Sequence, residues 1–250
     1  MNFKRTYVTL FFTLCLTVNL RAQTDVSLIQ KAHEYYQQGN FEEAGKLYES
    51  LLKDHPDSPE LHYNLGNTYF KLKQLGKAIL NYEKARQIEP RDNAINENLS
   101  YVQGLIEYKV EDKRNWYLIQ WDRLLGRFTC TEFFALTLIL YTFSMVFLTL
   151  RFFPKREYKF LKLSGPLFFL FLFSLAPLLS KSWEGRFQRS AVVASSKAEV
   201  RYGPSQRDKV AFRLVEGLKV QVQEERDDWY LVGLVNGESG WCEKKNLELV

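Results

Sequence analysis

The 250-residue chain contains few of the residues from which enzyme active sites are usually built. It has three cysteines and three histidines, and these show neither a CxxC motif nor the spacing of a Cys/His metal site. The motifs GxSxG and HExxH and the phosphate-binding loop are also absent. We therefore expect neither enzymatic activity nor a cofactor or metal ion, and we interpret His33, His55 and His62 as residues on helix surfaces.

The low cysteine count also excludes a disulfide framework, so the fold must depend on packing. We interpret Cys15, Cys130 and Cys242 as small hydrophobic residues. The formal net charge is +5, and the positive excess lies around the apolar segments, whereas the polar parts of the chain are neutral or acidic. A nucleic-acid-binding protein carries its excess on a folded face, so we expect no nucleic-acid partner.

Two long runs without any charged residue stand in the second half of the chain. Phe133–Leu150 and Leu163–Ser180 are each about eighteen residues long, close to the minimum that crosses a bilayer. The alternative is a pair of buried core helices, but a core helix of a soluble protein has a polar stripe, and neither run has one. The sequence therefore predicts transmembrane helices at 133–153 and 163–180, with the lipid bilayer as a partner.

The segment between these runs holds the densest positive cluster of the chain. Its cationic residues are Arg151, Lys155, Arg156, Lys159 and Lys162. Short loops rich in Lys and Arg stay on the cytoplasmic side, so we predict that 154–162 is a cytoplasmic loop of a transmembrane hairpin. The two polar parts of the chain would then share the opposite face of the membrane.

The first 22 residues independently indicate export to that same face. MNFKR precedes the apolar stretch TYVTLFFTLCLTV, and Ala22 is a small residue at a cleavage position. Leu20 and Arg21 are unusual before a cleavage site, so an uncleaved anchor remains open. We predict a signal peptide at 1–22 and, from Trp116, Tyr117 and Trp121, an interfacial juxtamembrane segment at 113–132.

Residues 23–112 repeat with a period of 34 residues. The corresponding pairs are Ala32 and Gly66, Tyr35 and Tyr69, Ala44 and Ala78, Tyr48 and Tyr82, and Pro56 and Pro90. The pattern predicts helices at about 26–38, 41–54, 59–73 and 75–88, followed by a capping helix at about 92–108. This unit resembles the tetratricopeptide repeat, and LGNTYFKLKQLGKAILNYEKARQIEP carries most of that signature.

The resemblance implies a peptide-binding groove lined by the first helix of each pair. Its candidate residues are Tyr63, Asn64, Asn67 and Phe70 in the second unit, and Ile29, His33 and Tyr36 in the first. The alternative is that the aromatic residues are core and the asparagines are merely solvated. Ile29, His33 and Ala94 occupy positions where a clamp for a C-terminal carboxylate carries Lys or Asn, so we expect no such clamp.

After the second apolar run the sequence changes to short alternating strands. The predicted strands are AVVAS, EVRYG, KVAFRL, LKVQVQEE, WYLVGL, SGWCE and LELV, with Asn236-Gly237 as a hairpin signal between the fifth and the sixth. VRYGPS, an EG before a strand, WYLV and GW together resemble the bacterial SH3 domain, which we place at 187–250. Trp229, Tyr230 and Trp241 are candidates for a binding cleft, with hydrophobic core as the alternative.

The predicted fold class is thus a multi-domain membrane protein with an all-α tetratricopeptide solenoid, a two-helix transmembrane hairpin and a small all-β SH3-like barrel. This order of modules resembles the BatE-type proteins of bacterial aerotolerance operons. The resemblance implies an inner-membrane protein with both soluble domains in the periplasm. It also implies partnership with von Willebrand A-domain Bat proteins and a MoxR-type ATPase, in a stress-related role. We expect a non-enzymatic scaffold, and the alternative is a protein that binds or senses peptidoglycan.

Overall fold

The computed structural model describes residues 25–106, 114–150, 164–187 and 189–250. Within these ranges a series of α-helices precedes one β-sheet. The predicted signal peptide at 1–22 lies outside the described residues. So do the predicted cytoplasmic loop at 154–162 and the five cationic residues of the cluster around it, Arg151, Lys155, Arg156, Lys159 and Lys162.

The predicted helices of the repeat region are present. They are α1 (25–37), α2 (Phe41–Asp54), α3 (Pro59–Lys71), α4 (Leu75–Ile88) and α5 (Asn93–Gly104). Ser58 caps α3 by accepting the amide hydrogen of Leu61, and Pro59 occupies the first turn. α3 ends two residues before the predicted position because Lys73 adopts a left-handed conformation with φ of 61°.

The core of the repeats is built from the small and aromatic residues that recur at the 34-residue period. Ala32, Ala44 and Ala78 are fully buried, and the ring of Tyr82 lies against α3. A Cβ at Gly66 would lie 2.8 Å from that ring, so only glycine permits this approach of α3 and α4. The small residue at this position of the 34-residue period is thus required by the packing of the two helices.

Three helices follow the repeats: α6 (Trp116–Leu125), α7 (Cys130–Leu150) and α8 (Ser164–Phe187). Among the described residues, α7 is the one helix that is long and apolar enough to cross a membrane, and the apolar part of α8 is shorter. α7 begins at Cys130 rather than Phe133. α7 and α8 pack against each other, and the ring centroids of Tyr141 and Phe171 lie 5.5 Å apart. The transmembrane hairpin stays a prediction.

All seven predicted strands are present in one antiparallel sheet. They are β1 (Arg189–Val193), β2 (Lys197–Arg201), β3 (Val210–Val215), β4 (Lys219–Arg226), β5 (Trp229–Gly233), β6 (Ser239–Glu243) and β7 (Leu247–Leu249). Their spatial order is β3-β2-β6-β5-β4-β1-β7, so the first and last strands pair. The inner side of this SH3-like domain is apolar and includes Val200, Val232 and Cys242.

The predicted hairpin at Asn236-Gly237 joins β5 and β6. The Leu234 amide donates to the Glu238 carbonyl oxygen at 2.8 Å, and Gly237 has φ of 92°. A three-residue loop with glycine in the left-handed region is a common hairpin connection. This turn therefore sets the register that places Trp229 opposite Glu243.

Candidate binding surfaces

The predicted groove of the repeats contains a hydrogen-bonded group of polar side chains. The Asn98 side-chain amide donates to the Tyr63 hydroxyl and to the Asn67 amide oxygen, each at 3.0 Å. The Tyr82 hydroxyl donates to the same Asn67 oxygen at 2.7 Å. Asn67 therefore joins α3, α4 and α5, and Asn98 of α5 borders the predicted groove although the candidate set lacked it.

An aromatic edge extends this surface from α3 to α5. The Phe70 and Tyr101 rings meet edge to face at 5.8 Å, and Tyr101 is 62% exposed. Asn98 and Tyr101 stand 34 residues after Asn64 and Asn67, so the repeat period was the signal that could have found them. Exposed aromatic side chains of this kind are suited to contact a peptide.

The first unit contributes less polar surface to the groove. Ile29 is half-buried against the repeat core, and Tyr36 packs edge to face on Phe41 at 5.2 Å. Burial raises the pKa of Tyr36, so its hydroxyl stays protonated and able to donate. His33 is exposed and hydrogen-bonded to Gln37. The binding role of these residues and of Asn64, which is half-buried, stays a prediction.

A cavity of about 410 Å³ opens beside Tyr63, between the starts of α3 and α5. Glu60, Glu89 and Asp92 line it together with Ala94, and none of its lining residues is basic. This acidic lining disfavours the binding of a peptide carboxylate. The sequence gives the same expectation, because it lacks the residues of a carboxylate clamp.

His62 is not a surface residue, and its interpretation as one was wrong. Its ring is buried between α3 and α4, 2.9 Å from the Pro56 carbonyl oxygen and 3.0 Å from the Asn81 amide oxygen. The residue 34 positions earlier is Leu28, an apolar residue packed against the repeat core. The repeat period therefore marked this position as an inward-facing one.

The three aromatic candidates of the SH3-like domain lie on two different faces of the sheet. Trp229 pairs with Glu243 and Trp241 with Leu231 across the β5–β6 ladder, so both tryptophans lie on one face. Tyr230 lies on the other face, in the hydrophobic core. All three are buried, so the structure does not bring them together as one open cleft.

Trp229 nevertheless lines a cavity of about 420 Å³. The cavity also contains Gln206, Asp228, Lys244 and Lys245. The guanidinium of Arg226 lies 5.2 Å from the centroid of the Trp241 ring and covers it. Polar groups around one aromatic wall form a small site that could contact a polar ligand.

The SH3-like domain packs directly on the repeats. Val192 of β1 is buried within the hydrophobic core of the repeats, and the Gly76 amide of α4 donates to a Glu216 carboxylate oxygen at 2.9 Å. A Cβ at Gly76 would lie 2.6 Å from the Val193 carbonyl oxygen. α4 and β1 are thus in close backbone contact.

An ion-pair group lies at the edge of this interface. Glu83 of α4 is 1% exposed, and it accepts from Lys219 of β4 at 2.9 Å and from Arg86 at 2.6 Å. Gln103 donates to its other oxygen. Burial acts to raise the pKa of Glu83, but the Lys219 and Arg86 charges outweigh it and lower this pKa. A charged carboxylate therefore joins the two domains.

Among the described residues, no group of three His, Cys, Asp or Glu side chains is arranged to hold a metal ion. Family models describe two parts of the chain. Tetratricopeptide repeat models match residues 32–73 and 59–92, and a bacterial SH3 domain model matches residues 196–248. No curated protein matches the chain.

A solved structure of the first tetratricopeptide domain of Spaghetti (RPAP3), bound to the HSP90 peptide SRMEEVD, is similar to one third of the chain. It is 21% identical, covers 33% of this chain and 92% of that chain, and superposes with a TM-score of 0.22. The family matches establish the modules: the chain contains tetratricopeptide repeats followed by a bacterial SH3 domain.

Proposed function

We propose that the protein is a non-enzymatic scaffold, anchored in a membrane, whose repeats and SH3-like domain bind other proteins on the same membrane face. The docking of α4 on β1 carries this proposal. The two domains are separated in sequence by both apolar helices, yet Glu83 and Lys219 meet across their interface at 2.9 Å. Domains that flank a membrane hairpin can make this contact only when they share one side of the bilayer.

The packing of α7 and α8 supports the membrane anchor. Small polar residues lie between the two helices. Thr137, Ser144 and Ser174 are buried, and the Thr137 hydroxyl contacts the Ser174 carbonyl oxygen at 3.5 Å. Large apolar side chains such as Phe143 and Phe173 point outward and are more than half exposed. Small residues inside and apolar residues outside are the arrangement of helices that pack within lipid.

The docked arrangement leaves the groove edge formed by Phe70 and Tyr101 open to a partner. Tethering to a membrane raises the effective concentration of both domains for partners on that surface, so weak peptide contacts add up. The resemblance to BatE-type proteins suggests which partners these are: von Willebrand A-domain Bat proteins and a MoxR-type ATPase at the bacterial inner membrane. In this proposal both domains are periplasmic and the process is stress tolerance.

Single-cysteine labelling of intact spheroplasts tests the shared face. Gln37→Cys reports on the repeats, Gln206→Cys on the SH3-like domain and Lys159→Cys on the predicted loop, in a chain with Cys15→Ser and Cys130→Ser. Cys242 can stay, because it is buried and burial raises its pKa to about 11. We expect a membrane-impermeant thiol reagent to label the first two cysteines on intact spheroplasts and Lys159→Cys only after lysis. A domain that resists labelling until lysis would contradict the proposal.

A second candidate function is binding of cell-wall peptides, which the cavity beside Trp229 favours. The test is co-sedimentation of the detergent-solubilised full chain with purified peptidoglycan. If this cavity binds the wall, the double variant Gln206→Ala/Lys245→Gln should lose retention, while Arg207→Gln, on the exposed surface nearby, should keep it. If the unmodified chain and both variants sediment equally, or if none of them sediments with peptidoglycan, this cavity is excluded as a wall-binding site.

A further inference from the structure

A third, larger cavity lies where the repeats, α6 and the SH3-like domain meet. Its volume is about 900 Å³, and it is bordered by the end of α4, the segment before α5, α6 and the first residue of β4. Five of its lining residues are basic: Arg86, Arg91, Arg123, Arg127 and Lys219. Two are acidic, Glu83 and Asp122, so the lining carries a positive excess.

The acidic residues do not neutralise the two arginines of the α6 side. Glu83 is already shared by Arg86 and Lys219, and Asp122 pairs with Arg114, which is not a lining residue, at 2.6 Å. Arg123 donates to the neutral side chain of Gln120.

Arg127 has no carboxylate within 4 Å in the described part of the chain. The guanidinium groups of Arg123 and Arg127 are therefore available to an anion from outside.

The position of the cavity indicates where that anion comes from. α6 presents Trp116 and Trp121 to the outside, 75% and 43% exposed, and it immediately precedes the apolar helix α7. Arg91, on the cavity wall, forms an ion pair with Glu132 in the first turn of α7. The cavity thus lies at the level where the apolar helix begins, and exposed tryptophans are typical of that interfacial zone.

We propose that this cavity binds the phosphate of an anionic phospholipid headgroup. Arginine guanidinium groups bind phosphate oxygens through paired, charge-assisted hydrogen bonds. The cavity volume is large enough for a whole headgroup and exceeds what a single phosphate requires. This inference rests on the membrane placement proposed above. Since Arg86 and Lys219 also line the cavity, a bound headgroup would contact both extramembrane domains at once.

Native mass spectrometry of the full chain in detergent tests the site, with phosphatidylglycerol and phosphatidylcholine supplied in equal amounts. We expect a bound phosphatidylglycerol and little phosphatidylcholine. In Arg123→Gln/Arg127→Gln the phosphatidylglycerol affinity should fall by roughly tenfold or more, because two charged hydrogen-bond donors are lost. Arg123→Lys/Arg127→Lys should keep part of the affinity. The control Arg207→Gln/Lys209→Gln removes the same charge from the SH3-like surface and should bind as the unmodified chain does.

Three results would overturn the lipid site. These are equal binding of the two lipids, unchanged affinity in Arg123→Gln/Arg127→Gln, and displacement of phosphatidylglycerol by inorganic phosphate at comparable concentration, which would assign the cavity to a free phosphate. Extraction of cell membranes with alkaline carbonate separates these failures from failure of the anchor. A chain that stays in the membrane pellet without lipid preference disproves this inference alone, whereas a chain released into the supernatant disproves the membrane placement as well.

Discussion

At the residue scale, one buried carboxylate contributes to the stability of the contact between the two domains. Glu83→Gln keeps the size of the side chain but leaves Lys219 and Arg86 without a counter-charge. Both cations are more than one-third exposed, so water compensates part of the loss, and we expect the free energy of unfolding to fall by about 1–3 kcal/mol. Urea unfolding of the detergent-solubilised chain measures this change. Glu97→Gln, on the exposed side of α5, is the matched control, and equal stability of both variants would contradict the assignment.

The same residue sets a pH dependence whose sign follows from its lowered pKa. A carboxylate with a folded pKa below its ordinary value of 4.5 contributes stability that is fully present above pH 4.5. This contribution disappears as the pH falls through the lower pKa of the folded state. The stability difference between the unmodified chain and Glu83→Gln should therefore shrink on acidification below pH 4.5.

At this scale the 34-residue period carries the information that the sequence offers, and a residue whose partner is distant leaves no such signal. Tyr48 and Tyr82 recur at the 34-residue period and both lie in the core, and the same period relates Asn98 and Tyr101 to the predicted groove residues Asn64 and Asn67. Glu83 looks like any solvated helix carboxylate in the sequence. Its counter-charge in the fold is Lys219, which lies 136 residues away in the sequence. A local sequence pattern therefore cannot indicate that Glu83 is buried.

At the scale of elements, the contact of α4 with β1 depends on the absence of a side chain at one position. In Gly76→Ala the new Cβ would lie 2.6 Å from the Val193 carbonyl oxygen, so α4 and β1 must separate. Alanine is compatible with the first turn of a helix, so the repeats should stay folded. We expect faster hydrogen exchange in β1 with little change in α2 and α3. Gly45→Ala is the control, since its Cβ would make an ordinary contact with Thr68 at 3.6 Å. Unchanged exchange in β1 would show that the two elements are not held by this contact.

Elements were predictable wherever a periodic pattern and a backbone signal coincide. The strands followed from alternation and from the turn signal Asn236-Gly237, and the helices of the repeats from the 34-residue pattern. The end of α3 was misplaced because Lys73 takes a left-handed conformation that glycine or asparagine usually supplies. Side-chain type gives no warning of that conformation.

At the scale of the whole molecule, the modules were predictable and their mutual arrangement was not. Each module has its own internal pattern, but Val192 reads in sequence as an ordinary strand residue of a separate barrel. In the structure it is buried in the core of the repeats, and Gly217 has φ of 84° and faces Ile79 of α4. Surfaces that match only after both modules have folded leave no periodic trace in either one.

Ion pairs connect the repeats to two other parts of the chain: Glu83 pairs with Lys219 of β4, and Arg91 pairs with Glu132 of α7. The first ion pair connects the repeats to the SH3-like domain, and the second connects them to the first turn of α7. A movement of the repeats would therefore act on the SH3-like domain and on the start of α7 at the same time.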